Sequence, residues 1–106
     1  MSEQELDHGL QKTVVSEKKE KLKEPPLYKV LLHNDDYTTM DFVIMVLQIV
    51  FNKNITGATE IMMNVHKKGI GVAGIFTREI AETKVALVHE LAKQYQHPLR
   101  CSMERA

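Results

Sequence analysis

Residues 31–40 read LLHNDDYTTM, and three consecutive side chains in that stretch carry acceptor chemistry: Asn34, Asp35 and Asp36. Ionised carboxylates only accept hydrogen bonds, and the Asn side-chain oxygen also accepts. A site built from these three groups suits a donor-rich, positively charged ligand. The same residue types also bond local backbone and favour turns and helix starts, so turn chemistry is the competing reading. His66 is the second candidate. The spacing of Met62, Val65 and His66 puts all three on one side of a helix. Met40 and Val43 are likewise three apart at the start of an earlier helix. If the two helices pair, these residues form an apolar socket with a polar rim. Alternatively, the apolar members are plain core, and helical spacing does not separate the two readings.

Enzyme signatures are mostly absent. The sequence holds no G-x-S-x-G, no H-E-x-x-H and no P-loop, and GIGVAG does not match G-x-G-x-x-G. Cys101 has no accompanying motif of a nucleophile. Asp35, Asp36 and His66 are chemically competent metal ligands, as in a small metal-dependent hydrolase. Adjacent Asp side chains diverge, however, so the expectation is no metal, no cofactor and no catalysis.

The elements that must position these residues can be read from period and punctuation. Tyr28 to His33 alternates as a strand, with Tyr28, Val30 and Leu32 on one face. Thr38 or Thr39 can cap the next helix, with Asp41 in its positive first turn. Phe42, Val43, Val46, Leu47, Val50 and Phe51 recur at helical spacing. Asn54 breaks that run, and Thr56 is the expected cap of a second helix carrying Ile61, Met62 and Val65. Gly69 follows Lys67 and Lys68, as at a helix C-terminus. Ile70 to Phe76 reads as a glycine-weakened strand. Thr77 caps a third helix, with an expected stripe of Ile80, Leu87 and Leu91 flanked by Val88. His97-Pro98 ends it, and Leu99 to Met103 is a last short strand. The predicted fold class is α+β: strand-helix-helix-strand-helix-strand, with three helices covering a small antiparallel three-stranded sheet.

The chain has 106 residues, enough for one domain. Residues 1–24 include SEKKEKLKE, charged in both signs with little to bury, and are expected to form a flexible extension closed by Pro25-Pro26. The core domain is then 25–106. Fourteen basic residues balance 14 acidic ones. That removes the electrostatic case for nucleic acid or an anionic membrane surface. No apolar run is long enough to span a bilayer, and the N-terminus lacks a signal-peptide core. A single cysteine forms no internal disulfide, which fits a reducing, cytoplasmic setting.

The stretches YKVLLHNDDYTTMDFV, VH at 65–66, FTREIAETKVA and HPL together resemble the ClpS family. Its members are bacterial adaptors that bring N-degron substrates to the AAA+ unfoldase ClpA and its partner peptidase ClpP. The resemblance runs from about Pro25 to Ala106 and implies the same element order. It implies recognition of a bulky first residue (Leu, Phe, Tyr or Trp) with a free α-amine. Carried over by position, Asn34, Asp35, Asp36 and His66 would surround the ammonium. Leu32, Thr38, Met40, Val43, Met62, Val65 and Leu99 would line or rim the side-chain pocket. Glu79 and Lys84 would belong to the surface that docks on the unfoldase. The extension would assist delivery, and a monomer is expected. Three positions depart from the family pattern: Thr39 stands in place of Pro, Asp41 in place of Glu, and His33 where an aliphatic is common. A protein-docking module that shares only the fold is the remaining alternative.

Overall fold

The computed structural model describes residues 24–106, so the N-terminal extension, apart from Glu24, lies outside the described residues. The order of elements is β1 (Leu27–His33), α1 (Met40–Ile49), α2 (Ile55–Lys68), β2 (Ile70–Thr77), α3 (Arg78–Gln94) and β3 (Arg100–Arg105). The three strands form one antiparallel sheet in the order β2-β1-β3. This is the α+β arrangement expected from the sequence. β1 is central, and Val30 and Leu32 on its inner face are fully buried. Leu31 points to the outer face yet is also buried. The core gathers these residues with Phe42, Val43, Val46 and Leu47 of α1, Met62 and Val65 of α2, and Val88 of α3.

Local chemistry fixes the helix ends. Thr39 caps α1, its Oγ1 accepting from the Phe42 amide at 3.1 Å. The cap of α2 is Asn54, two residues earlier than the expected Thr56: its Oδ1 accepts from Gly57 N at 2.8 Å. Asn is among the strongest N-cap residues, and Asn54 holds the extended backbone a cap requires. Thr56 instead falls within the first turn. Thr77 occupies the N-cap position of α3, but its side chain makes no capping bond. Gly69 ends α2 in the left-handed region at φ 88° and returns its N–H to Val65 O at 2.9 Å. The chain therefore turns from α2 straight into β2.

The buried stripe of α3 differs from expectation. Ala81, Val88 and Ala92 face the sheet, with Val85 and Leu91 partly buried against the core, whereas Ile80 and Leu87 of the expected stripe are 49% and 46% exposed. Both sets have helical spacing. The smaller residues face inward because a helix lying close over a three-stranded sheet leaves little height for side chains between them. The last strand begins at Arg100, one residue later than expected, and extends to Arg105. Leu99 precedes it and is buried.

One contact sets the depth of α2. Gly71 is buried in β2 opposite Leu32. A Cβ at that position would lie 2.7 Å from Val65 Cγ2 and 3.3 Å from the Ile61 carbonyl. The helix thus rests directly on the strand backbone, and glycine is what allows it. Gly71→Ala is expected to lower stability by roughly 1–3 kcal/mol through overpacking. A shift in the urea-unfolding midpoint at unchanged slope is the measurement. An unshifted midpoint would mean that α2 relaxes away without cost.

Candidate functional site

The acceptor stretch is a built turn. Asp35 Oδ1 accepts from the amides of Tyr37 (2.8 Å) and Thr38 (2.7 Å), and Oδ2 accepts from the Thr38 hydroxyl at 2.7 Å. Partial burial alone would raise the Asp35 pKa. The bonds from Thr38 and Tyr37, with the charge of His97, outweigh it and hold the carboxyl below its ordinary range. Asp35 is therefore ionised and held in one orientation. Turn chemistry and acceptor chemistry, the two competing readings of Asn-Asp-Asp, coexist in one segment. Among the described residues, no side-chain hydrogen bond engages Asn34 or Asp36, and both are exposed.

The turn is tied to the far end of α2. The Asn34 amide donates to Gly69 O at 2.9 Å, one step beyond the His33–Ile70 pair of the β1–β2 ladder. His66 lies in the last turn of α2 and is exposed. Between them opens a cavity of about 250 Å³ lined by Asn34, Asp35, Asp36, Thr38, Met40, Val43, Met62, Val65 and His66. Its polar groups sit on the β1–α1 turn and the end of α2. Its apolar groups come from the facing sides of α1 and α2. Val43, Met62 and Val65 are buried, whereas Met40, the first residue of α1, is 44% exposed. The lining contains no Lys or Arg. A donor-rich cation bearing an apolar side chain is the ligand such a surface complements.

A family model described as ATP-dependent Clp protease adaptor protein ClpS matches residues 23–102. The chain belongs to the ClpS family. It is 57% identical over 91 residues to the ATP-dependent Clp protease adapter protein ClpS of Desulfatibacillum aliphaticivorans, a match covering 86% of this chain and 88% of the other. With the ClpS of Rhodospirillum centenum it shares 52% over 104 residues, covering 98% and 96%. Among solved structures, ClpS2 of Agrobacterium tumefaciens bound to L-phenylalaninamide superposes with a TM-score of 0.76 at 40% identity, covering 78% of this chain and 100% of that one.

Nine of the site residues expected from ClpS resemblance converge on the one cavity. Leu32 and Leu99 do not line it; both are buried in the core cluster. Glu79 and Lys84 lie elsewhere, on α3. Glu79 is exposed in the first turn. Lys84 is partly buried, donates to the Val50 carbonyl at 2.7 Å and sits 5.6 Å from the Phe76 ring centroid. It thus satisfies a carbonyl at the C-terminal end of α1, where a cation is electrostatically favoured. The metal-hydrolase alternative lacks its ligand set: among the described residues, no three His, Cys, Asp or Glu groups converge as a metal ion requires. Burial pushes the Cys101 thiol up to about 12, so at neutral pH it is a buried, unreactive thiol on β3. Also among the described residues, no helix is long and apolar enough to cross a membrane.

One neighbour of the site was not singled out from the sequence. His97 stacks on Phe42 with centroids 4.2 Å apart and lies near enough to Asp35 to lower its carboxyl pKa electrostatically. It reaches this place because α3 ends in a left-handed turn at Gln96 (φ 62°), with His97 N donating to Ala92 O at 2.8 Å. Sequence offered it as a helix stop before Pro98 and as part of HPL, more than fifty positions from its partners. Thr38→Val tests the turn. Removing the hydroxyl donor should move the Asp35 titration midpoint up toward the ordinary carboxylate value of about 3.9. Because the folded pKa is depressed, the turn's ionised form supports the fold above that range and loses its contribution as pH falls through the folded pKa. Carboxyl ¹³C NMR of the two proteins reads this directly, and identical midpoints would remove Thr38 from the orientation of Asp35.

Proposed function

We infer that the protein is a non-catalytic adaptor that binds the free N-terminal residue of N-degron substrates, with Leu, Phe, Tyr or Trp first, and delivers them to a ClpA-type AAA+ unfoldase for degradation by ClpP. The observation that carries this reading is the cavity, where an acceptor rim and an apolar floor meet within one side chain's reach. The rim of Asn34, Asp35, Asp36 and His66 receives the α-ammonium, directly or through water. The floor of Val43, Met62 and Val65 receives the side chain. That a related ClpS2 binds L-phenylalaninamide, a free α-amine beside a benzyl side chain, supports the same assignment here. Burying a Leu or Phe side chain is worth about 1.5–3 kcal/mol, and each hydrogen bond to a charged group roughly 1.5–3 kcal/mol. After association costs, affinity on the order of micromolar or somewhat tighter follows. An internal segment of a protein has no ammonium and would cover these acceptors without pairing them.

Delivery requires a second surface, and α3 supplies a suitable one. Ile80 and Leu87 are exposed seven residues apart, with Lys84 between them and Glu79 beside them. An apolar strip edged by opposite charges has the composition of a protein-docking patch. We assign it to the unfoldase, with the N-terminal extension assisting delivery.

Acetylating the amine of a Phe-first peptide removes the charge and most donors while keeping the side chain. Affinity should fall by roughly a hundredfold or more, the equivalent of one to two charged hydrogen bonds. Fluorescence anisotropy showing equal affinity for the two peptides would remove the ammonium from the model. Met40 at the mouth generates a second expectation. A first residue branched at Cβ meets the Met40 side chain, whereas Leu and Phe branch one carbon later and pass. Met40→Ala should therefore admit Ile-first and Val-first peptides and modestly weaken Leu-first ones. At 44% exposed, its truncation should cost less stability than the roughly 2–5 kcal/mol of a core Met. Unchanged selectivity together with a large drop in melting temperature would make Met40 a packing residue only.

A further inference from the structure

A second concavity lies away from the peptide cavity, over the start of β3. It has a volume of about 220 Å³ and is lined by His33, His89, Arg100, Cys101 and Ser102. Three strands of evidence give it a chemical sense. First, four of the five residues that line it carry nitrogen or oxygen side chains, beside the buried Cys101. Cys101 N–H donates to His89 Nε2 at 3.1 Å. A backbone amide always donates, so Nε2 is unprotonated and the His89 proton resides on Nδ1, free to donate outward. Arg100 contributes its guanidinium fork. His33 Nε2 and Ser102 Oγ are 2.6 Å apart in a hydrogen bond that fixes the imidazole and the hydroxyl relative to each other.

Second, the arrangement is set by strand register. His33 and Arg100 are directly paired across β1 and β3, so their side chains leave the same face of the sheet. Ser102 is two residues further along and shares that face. His89 approaches from α3 at the outer edge of β3, an edge strand in the order β2-β1-β3.

Third, the positive charge is uncompensated. Among the described residues, the only ion pair is Arg78–Glu82, on the exposed face of α3. Glu104, the acid further along the outer face of β3, stands opposite Lys29. The cavity lining contains no carboxylate. The His33 pKa is lowered first by burial and then by the Arg100 charge, as expected where no anion offsets that charge.

We propose that this concavity is an oxyanion site that takes a phosphate group, held by the Arg100 fork with His89 Nδ1–H and the one donor that the His33–Ser102 pair keeps free once its internal bond is made. Planar guanidinium forks match phosphate oxygens in pairs, and imidazole and hydroxyl donors complete a tetrahedral ligand. The peptide cavity has the opposite character, acceptors with no Lys or Arg, so the two sites do not compete for one ligand.

The test is an NMR titration of the full chain with inorganic phosphate at constant ionic strength, following the His33 and His89 imidazoles and the Arg100 Nε–H. Shifts should be saturable, confined to this cluster, with a Kd on the order of millimolar, as suits a few charged hydrogen bonds at an open site. Arg100→Ala, a change at an exposed side chain, should weaken binding roughly tenfold and leave the protein's amide fingerprint otherwise intact. Arg100→Lys should fall between, because it keeps the charge and loses the fork. Glycerol phosphate in parallel separates the sources: equal affinity means an esterified phosphate enters the open mouth, and loss of affinity means free phosphate is the ligand. Linear, unsaturated shifts would overturn the proposal. So would an unaltered Kd in Arg100→Ala, an equal response to acetate, or a response centred on His66.

Discussion

The hydrogen bond from the Asn34 amide to Gly69 O holds the site together, because it joins the only two segments that carry its polar groups. It is the final step of the β1–β2 ladder, just past the His33–Ile70 pair. On one side of it, β1 ends and the acceptor turn begins. On the other, α2 ends with His66 in its last turn. The left-handed Gly69 makes this possible: a residue with a Cβ would resist φ 88°, and the strand would not start one residue after the helix stops. Gly71 completes the constraint by letting α2 sit on the strand backbone. Two main-chain features thus bring the Asn34 and His66 side chains to one cavity.

Within the turn, labour is divided between adjacent acids. Asp35 spends its oxygens largely inward, on two amides and the Thr38 hydroxyl. Asn34 and Asp36 remain outward. A carboxylate already fixed by three donors loses little freedom when a ligand arrives, which lowers the entropic cost of binding. Its remaining lone pairs and the Asn34 and Asp36 side chains beside it are the acceptors that the proposed function assigns to an ammonium. Asp35 and Thr38 hold the turn rigid, while Asn34 and Asp36 make none of its internal side-chain bonds among the described residues.

The third helix shows how packing height governs function. Small residues, Ala81 and Ala92, let α3 lie low on the sheet, and its larger apolar residues are turned outward. Ile80 and Leu87 are then surface, where a partner can reach them. Lys84 stands between the two roles. Its bond to Val50 O ties α3 to the end of α1, so α3 and the helix bearing Met40 and Val43 are mechanically joined. Substituting Lys84 changes the scaffold as well as the surface.

Sequence by itself determined the element order, the α+β class and the approximate bounds of each element, because hydrophobic period, caps and breakers are local properties. It also determined which residue types at 34–36 and 66 accept hydrogen bonds, and, through resemblance to ClpS, which of them belong together. Tertiary structure decided the rest. Nothing in the sequence says that Asn54 caps where Thr56 also could, since both compete for one amide row and the backbone angle selects between them. Nothing says that α3 buries Ala81 and Ala92 and exposes Ile80 and Leu87, since two stripes of one period differ only in the height the sheet allows. Leu32 and Leu99 fall to the core and His97 rises to the site through contacts between residues far apart in the chain. The pairing of His33 with Arg100 is likewise a fact of strand register, which no local pattern encodes. Local chemistry chooses what each residue can do; the distances that make it a site are set only when the strands pair.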